Sequence, residues 1–388
     1  MQLSEVRHQE RAVSILRRAL RSGRTHHAYL FEGPAGVGKE LAARALAAQL
    51  LCEDDQRAVD ADPCGRCPAC RVFAAGNHPD FHLIHRGLHK LHPEPKIRRQ
   101  KGLFLVIDVV RHFLIEPATM KPTQGRRRVF VIRDAERMND EAQNALLKTL
   151  EEPPGTACLI LVTSSADRLL PTIRSRCQRI PFGLLPTTFV ARELQSRAGL
   201  DPTDARALAG LADGRLGVAL QWHALDLLAT LGDVNTCLAR VPDADPETFG
   251  KTLVALATEL AMRAQPEPTD EADMEDDEDE DEDEDDDTPS KSSRKVPTDV
   301  LRDAYKLVLL LMGATYRDAL LIQSGAAALR VLPQSTRAET LAREASPALL
   351  DQCILAIGEA EVMLDRNVAP QLVGERLAVA LLGELPVT

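Results

Sequence analysis

The sequence predicts an α/β fold built on a parallel sheet, followed by helical regions. Three observations support this fold class. The stretch 28–51, AYLFEGPAGVGKELAARALAAQLL, has the order of an apolar strand, a loop with three glycines, and a helix rich in Leu and Ala. The segments 128–134 and 157–163 have the continuous apolar character of buried parallel strands. From residue 300 onward, apolar residues recur at helical spacing, which predicts a separate helical region.

The loop after the first strand matches the phosphate-binding pattern G-x-x-x-x-G-K-[ST] at every position but the last. Gly33, Gly36 and Gly38 let backbone N–H groups converge at the positive end of the following helix. Lys39 would then reach the outer phosphates. The last position carries Glu40, which lacks the magnesium-binding hydroxyl and places negative charge beside the phosphates. The residues leave open whether the loop holds ATP or ADP weakly, or is a glycine-rich turn without a ligand.

Two strand ends offer further polar residues to such a site. Asp134 ends a buried strand, where a carboxylate would order magnesium. An ATP-hydrolysing chain would carry a water-activating glutamate next, whereas this chain has Ala135, with Glu136 displaced by one position. Thr163 ends the following strand, and it either senses a γ-phosphate or is simply a strand-end hydroxyl.

A cysteine group after the first sheet helix predicts a metal site. Four of the eight cysteines form it, in the order C-x11-C-x2-C-x2-C: Cys52, Cys64, Cys67 and Cys70. Thiols at this spacing suit tetrahedral zinc, and four protein ligands close the coordination shell, so the predicted zinc is structural rather than catalytic. Unliganded cysteines, or a mixed site that includes His78 or His82, are the alternatives.

Length and composition predict a protein of several domains, which we expect in the cytoplasm. Its 388 residues suffice for two or three domains, and no apolar run is long enough for a membrane span. The charged first twenty residues do not resemble a secretory signal, which favours a cytoplasmic location and free thiols. Residues 87–102 are basic with weak periodicity, and we expect a surface loop there.

The formal net charge of −11 is unevenly distributed. Residues 267–287 hold 17 of the 58 acidic residues, and without them the chain would carry +6, which permits contact with nucleic acid but does not establish it. This acidic run cannot bury a core, so we expect a disordered insertion at about 265–297. It is a solvated linker or, alternatively, an electrostatic mimic of DNA.

Two long strings resemble a known family. NALLKTLEEPP at 144–154 and LPTIRSRCQ at 170–178, together with HHAYLFEGPAGVGK at 26–39 and the cysteine group, resemble bacterial DNA polymerase III clamp-loader subunits, members of the AAA+ class. The resemblance is strong over about residues 1–225. It implies three domains: a nucleotide-binding-like AAA+ domain at 1–182 with a zinc module at 52–70, a helical lid at 183–225, and a helical collar at 226–388.

Within that family, the residues favour the delta-prime kind, which usually does not hydrolyse ATP. Glu40 and Ala135 depart from an active site, and Gly217 stands where ATPase subunits carry a nucleotide-sensing arginine. The alternative is an ATP-hydrolysing motor of the gamma/tau kind. A zinc-dependent enzyme is disfavoured because four cysteines leave no open coordination position.

The resemblance also implies a role for Arg176. In clamp loaders, the arginine of the Ser-Arg-Cys string reaches the ATP site of the neighbouring subunit; a surface arginine paired with a carboxylate is the alternative. The implied partners are gamma/tau and delta subunits in a hetero-oligomeric ring, the sliding clamp, and primed DNA through the complex, with no membrane. The implied process is DNA replication, with this chain an accessory subunit of the polymerase holoenzyme.

Overall fold

The computed structural model describes residues 1–56, 58, 61–100, 102–241, 245–264 and 296–382. The chain divides into two compact units, Met1–Val190 with Ala212–Val218, and Ala191–Leu211 with Ala219–Thr388. The predicted domain boundaries at residues 182 and 225 stay a prediction. The predicted acidic insertion lies almost entirely outside the described residues. Among the residues described, no helix is both long and apolar enough to cross a bilayer.

The first unit is built on a parallel sheet, as predicted. Within the described residues the sheet has five strands in the order β2-β3-β4-β1-β5. The strands are β1 (Ala28–Glu32), β2 (Phe81–Ile84), β3 (Arg128–Ile132), β4 (Ala157–Thr163) and β5 (Gln178–Pro181). The helices up to β5 are α1 (Glu10–Arg21), α2 (Lys39–Leu51), α3 (Pro68–Ala74), α4 (Pro95–Arg98), α5 (Ile107–Val110), α6 (Glu116–Ala118), α7 (Asp140–Glu151) and α8 (Pro171–Arg176).

Both faces of this sheet are covered, which explains the continuous apolar strands. Every position of β3 and β4 is buried. Alternate strand residues point to opposite faces, so Leu30 and Phe130 belong to one core cluster while Phe31 belongs to the other. Because all the strands are parallel, the segments that follow β1, β3 and β4 start from the same edge of the sheet.

Local sequence signals explain several boundaries. Helix α7 begins after Asn139, whose Oδ1 accepts the N–H of Ala142 at 3.0 Å. Strand β3 ends at Ile132, two residues before the predicted end, because the chain turns into the left-handed region at Asp134 (φ 50°).

The prediction of a loop at 87–102 was wrong, although most of the described residues there lie at the surface, as predicted. The segment contains a 3₁₀ helix, Arg86–Leu91, and the short helix α4, and it buries His89, His92 and Ile97. Imidazole rings pack as flat apolar bodies here, with the ring of His92 centred 5.1 Å from that of His112.

The second unit is helical. In the described residues after β5, the α-helices are α9 (Thr187–Ala198), α10 (Pro202–Ala212), α11 (Leu216–Ala224), α12 (Thr230–Arg240), α13 (Pro246–Arg263), α14 (Thr298–Gln323), α15 (Thr336–Glu344), α16 (Pro347–Asp365) and α17 (Pro370–Leu381). The fully buried Asp318 of α14 accepts the N–H groups of Val331 and Leu332, at 3.0 and 2.6 Å from Oδ2. These bonds fix the connection that leads into α15.

Candidate functional site

The predicted nucleotide loop follows β1 at the carboxyl edge of the sheet and leads into α2. Gly33, Gly36 and Gly38 have φ values of 141°, 75° and 98°, in the region that favours glycine. Glu32 of β1 pairs in register with Thr163 of β4, so the loop and the end of β4 lie side by side. The architecture therefore has the strand, turn and helix that a phosphate-binding loop requires.

The loop lysine is bonded by its own loop. Lys39 is 6% exposed, and its Nζ donates to the backbone oxygens of Gly33 and Pro34 at 2.6 and 2.5 Å. Burial lowers the pKa of Lys39 to about 8, against smaller opposite effects from Glu136 and Asp134. The ammonium group that would reach phosphate is thus bonded to the backbone of its own loop, an arrangement that we call the closed loop.

Glu40 is held in two ion pairs that sequence reasoning missed. Its Oε1 lies 2.7 Å from the guanidinium of Arg133 and 2.9 Å from that of Arg44. Burial by itself would raise the pKa of Glu40, but Arg133 and then Arg44 lower it below its ordinary value. The carboxylate is therefore compensated within the chain. The i,i+4 spacing of Glu40 and Arg44 was visible in the sequence, whereas the pairing with Arg133 was not.

The displaced Glu136 reaches the same edge. A 3₁₀ turn, Ala135–Arg137, follows the left-handed Asp134. Glu136 Oε1 then accepts the N–H and the hydroxyl of Ser164, at 3.1 and 2.5 Å. Burial and the nearby charge of Glu136 raise the pKa of Asp134. The hydroxyl of Thr163, which is almost fully buried, accepts the N–H of Ser165 at 3.1 Å.

The start of α11 lies directly on the loop. The N–H of Gly217 donates to the backbone oxygen of Gly36 at 2.8 Å. A Cβ atom at Gly217 would stand 2.9 Å from Gly36 Cα, and one at Gly36 would stand 2.7 Å from the backbone nitrogen of Val218. A side chain at position 217, arginine included, therefore requires the loop to move.

Arg176 is placed differently from these residues. It ends α8, and its side chain is 34% exposed. One terminal nitrogen lies 2.6 Å from Glu151 Oε1, and the other donates to the backbone oxygen of Thr172 at 3.0 Å. Neither of these polar partners belongs to the nucleotide loop.

The cysteine cluster forms as the spacing predicts. The Sγ atoms of its four members lie within 4.8 Å of one another, and those of Cys64 and Cys70 are 4.0 Å apart. A tetrahedral site with bonds of about 2.3 Å needs a sulfur separation of about 3.8 Å, so this group can hold a metal ion such as zinc. Backbone N–H groups of Arg66 and Cys67 lower the pKa of Cys64 to about 7.

Histidine is not needed to complete this metal site. His78 uses its Nδ1 to accept the N–H of Asp80 at 3.1 Å. All eight cysteines of the chain are free thiols, in keeping with the preference for ligands and buried thiols over disulfides.

Comparison with known proteins identifies the first half of the chain. The family described as "DNA polymerase III, delta subunit" matches residues 8–185. The delta' subunit of DNA polymerase III from Pseudomonas aeruginosa is 40% identical over 191 residues, which are 47% of this chain and 52% of that protein. Residues 8–185, somewhat less than half of the chain, thus match the DNA polymerase III delta-subunit family model. Over this segment, the family resemblance predicted from the strings at 144–154 and 170–178 is confirmed.

Other relatives of this segment include both delta' and gamma/tau subunits, the two kinds considered in the sequence analysis. The delta' subunit of Escherichia coli K12 is 33% identical over 213 residues, 53% of this chain and 59% of that protein. A gamma/tau subunit of Mycobacterium tuberculosis is 37% identical over 183 residues, 47% of this chain and 29% of that protein. The chain thus spans about half the length of the delta' relatives it matches. A gamma subunit-related protein of Thermotoga maritima aligns over 96% of this chain and 99% of its own, with 16% identity and a TM-score of 0.38.

Proposed function

We propose that this chain is a delta-prime-type clamp-loader subunit of a DNA polymerase III holoenzyme, which presents an arginine to a neighbouring ATPase subunit and does not hydrolyse ATP itself. The observation that carries the proposal is the closed loop: Lys39 is bonded to its own backbone, and Gly217 rests on Gly36. Similarity to proteins named delta' supports the same assignment.

Arg176 is the residue that acts on the neighbour in this proposal. A guanidinium stays charged and offers a planar fork of donors to the oxygens of a transferring phosphoryl group. Its position at the end of α8, with the side chain 34% exposed, lets it be presented outward, while Lys39 is kept inside. The chain's own Gly33, Gly36, Gly38, Lys39, Asp134 and Thr163 then form a degenerate nucleotide site with a structural role.

The proposed partners follow from the relatives. Proteins named gamma/tau and delta' match the family segment, so we assign this chain to a ring with gamma/tau-type and delta-type subunits. The ring would open a sliding clamp and place it on primed DNA in the cytoplasm. In this assembly residues 1–182 form the AAA+ domain, 183–225 the lid, and 226–388 the collar that holds the ring together.

Reconstitution tests the assignment. Purified gamma/tau-type and delta-type subunits, clamp and primed DNA are combined with or without this chain, and clamp loading is measured. We expect the chain to co-elute with the ring and loading to require it. Isolated chain should show no steady-state ATP hydrolysis. Turnover by the isolated chain at the rate of the gamma/tau-type subunit would instead support the motor alternative.

The proposed cofactor is one structural zinc ion held by Cys52, Cys64, Cys67 and Cys70. Zinc would join the segment after α2 to α3 through bonds from both. Metal analysis of purified chain should find one zinc per chain, and Cys64→Ser should lose it. Cys237→Ser, a change in a thiol of the second unit, is the matched control and should retain the metal. Absence of zinc after refolding with the ion would exclude the site.

A further inference from the structure

The partner of Arg176, Glu151, is a residue to which the proposed function gives no role. Glu151 is the last residue of α7, and Arg176 is the last residue of α8. Their 2.6 Å contact joins the ends of two helices. A carboxylate at the negative end of a helix is unfavourable by itself, so helix preference does not explain this glutamate.

The contact fixes the orientation of the guanidinium. One terminal nitrogen is bonded to Glu151 and the other to the backbone oxygen of Thr172, within the same helix as the arginine. These two bonds, one to α7 and one to α8, fix the plane of the guanidinium. Because the guanidinium has five N–H donors, further donors stay available for phosphoryl oxygens.

Stability is a poor explanation for this ion pair. The side chains of Arg176 and Glu151 are 34% and 49% exposed, and exposed pairs contribute little to folding. An arginine that swings freely, however, must be ordered each time it engages phosphate, and immobilising such a side chain has an entropic cost. Ordering it in advance removes part of that cost from the transition state.

We propose that Glu151 is a positioning residue that orients Arg176 before it meets the nucleotide of the neighbouring subunit. The inference rests on the proposed function, since it presumes that Arg176 acts in trans. Among the described residues, Arg176 is the ion-pair partner of this carboxylate, which takes no direct part in the reaction. The pair is kept as the ring assembles, and the free donors of Arg176 meet the phosphoryl group.

A double-mutant cycle in the reconstituted loader tests this role. ATP hydrolysis stimulated by clamp and DNA is measured for wild type, Glu151→Ala, Arg176→Ala and the double variant. We expect Glu151→Ala to lower kcat about two- to tenfold with KM for ATP unchanged. In the Arg176→Ala background the same change should have no further effect.

Two further variants separate positioning from general damage. Glu152→Ala removes the adjacent exposed carboxylate, which has no side-chain partner among the described residues, and should behave as wild type. Glu151→Gln keeps an acceptor oxygen without the charge and should have an intermediate kcat. Equal co-elution of every variant with the ring shows that assembly is intact.

The outcomes distinguish this inference from the function on which it rests. No effect of Arg176→Ala would overturn the trans role itself. If Arg176→Ala lowers the ATPase rate as expected but Glu151→Ala hydrolyses ATP at the wild-type rate or faster, only the positioning role is overturned. A loss caused by Glu151→Ala that persists in the Arg176→Ala background would likewise show that Glu151 acts through the fold and not through the arginine.

Discussion

Two cations of the first unit, Lys39 and Arg176, have opposite surroundings. The first is 6% exposed and donates to the backbone of its own loop. The second is one-third exposed and is paired with a carboxylate at the surface. In the proposed function, Lys39 belongs to a degenerate nucleotide loop, and Arg176 acts on the nucleotide of the neighbouring subunit.

If the proposed function holds, this difference means that the chain keeps the arginine that acts on a neighbour while its own nucleotide loop is inactive. The loop has kept its backbone, but its lysine, its Glu40 and its contact with Gly217 are satisfied internally. Arg176, in contrast, is one-third exposed at the end of α8, where it is paired with Glu151. Changes on the loop side should therefore affect stability, and changes on the arginine side should affect the rate of the assembled ring.

The largest expected effect on stability is at Gly36. Gly36→Ala would place Cβ 2.7 Å from the backbone nitrogen of Val218 at a φ of 75°, and we expect a loss of about 2–4 kcal/mol in the free energy of unfolding. Gly38→Ala is the matched control: its φ is also positive, but nothing lies within 4 Å. It should cost only about 1–2 kcal/mol. Urea unfolding measures both, and equal losses would mean that the contact with α11 is absent in solution.

Lys39→Met should also destabilise the first unit, by about 1–3 kcal/mol, because it leaves the backbone oxygens of Gly33 and Pro34 without their donor. Methionine keeps most of the apolar stem, so packing changes little. The same variant should leave ATP hydrolysis by the reconstituted ring within about twofold of wild type. A large loss of ATPase activity in the ring, with stability unchanged, would show that Lys39 binds phosphate. It would then not differ from Arg176 in the way described above.

The stability difference between wild type and Lys39→Met should depend on pH. The pKa of Lys39 is lowered to about 8 in the folded chain from its ordinary 10.5, so between these values the unfolded chain holds more protons. The contribution of Lys39 to the free energy of unfolding therefore rises as pH increases from about 8 to about 10.5, by at most about 1.4 kcal/mol per pH unit. Urea titrations at pH 7, 8 and 9.5 measure it. A pH-independent difference would mean that Lys39 is solvated.

The smallest effect is expected at Arg174, two residues before the proposed finger. Its guanidinium lies 2.9 Å from the fully exposed Asp167, an ordinary surface pair. Arg174→Ala should change the ATPase rate of the ring by less than about twofold. A loss as large as that of Arg176→Ala would show that charge on α8, rather than one placed arginine, is what the neighbour senses.

Features encoded by neighbouring residues could be predicted from the sequence. The strand, loop and helix of 28–51 and the grouping of the cysteines depend on short spacings. Strand 157–163 was also predicted with its observed bounds, because its apolar run is uninterrupted.

Contacts between distant residues could not be predicted. Glu40 pairs with Arg133, 93 residues away, and Gly217 rests on Gly36 only because the chain returns to the loop. Glu136 reaches the site through a left-handed residue, a conformation that no sequence pattern here indicated. Because these contacts join distant residues, the sequence alone left the surroundings of the loop undecided.

The most direct test of the account is ATP hydrolysis by the reconstituted loader with clamp and primed DNA, comparing wild-type chain, Arg176→Ala and no chain, with isolated chain as the control. We predict that isolated chain is silent and that Arg176→Ala assembles normally but lowers the rate of the complex, by up to about 10³-fold. Hydrolysis by the isolated chain, or an Arg176→Ala complex as fast as wild type, would contradict the assignment of the loop as closed and of Arg176 as the group that acts in trans.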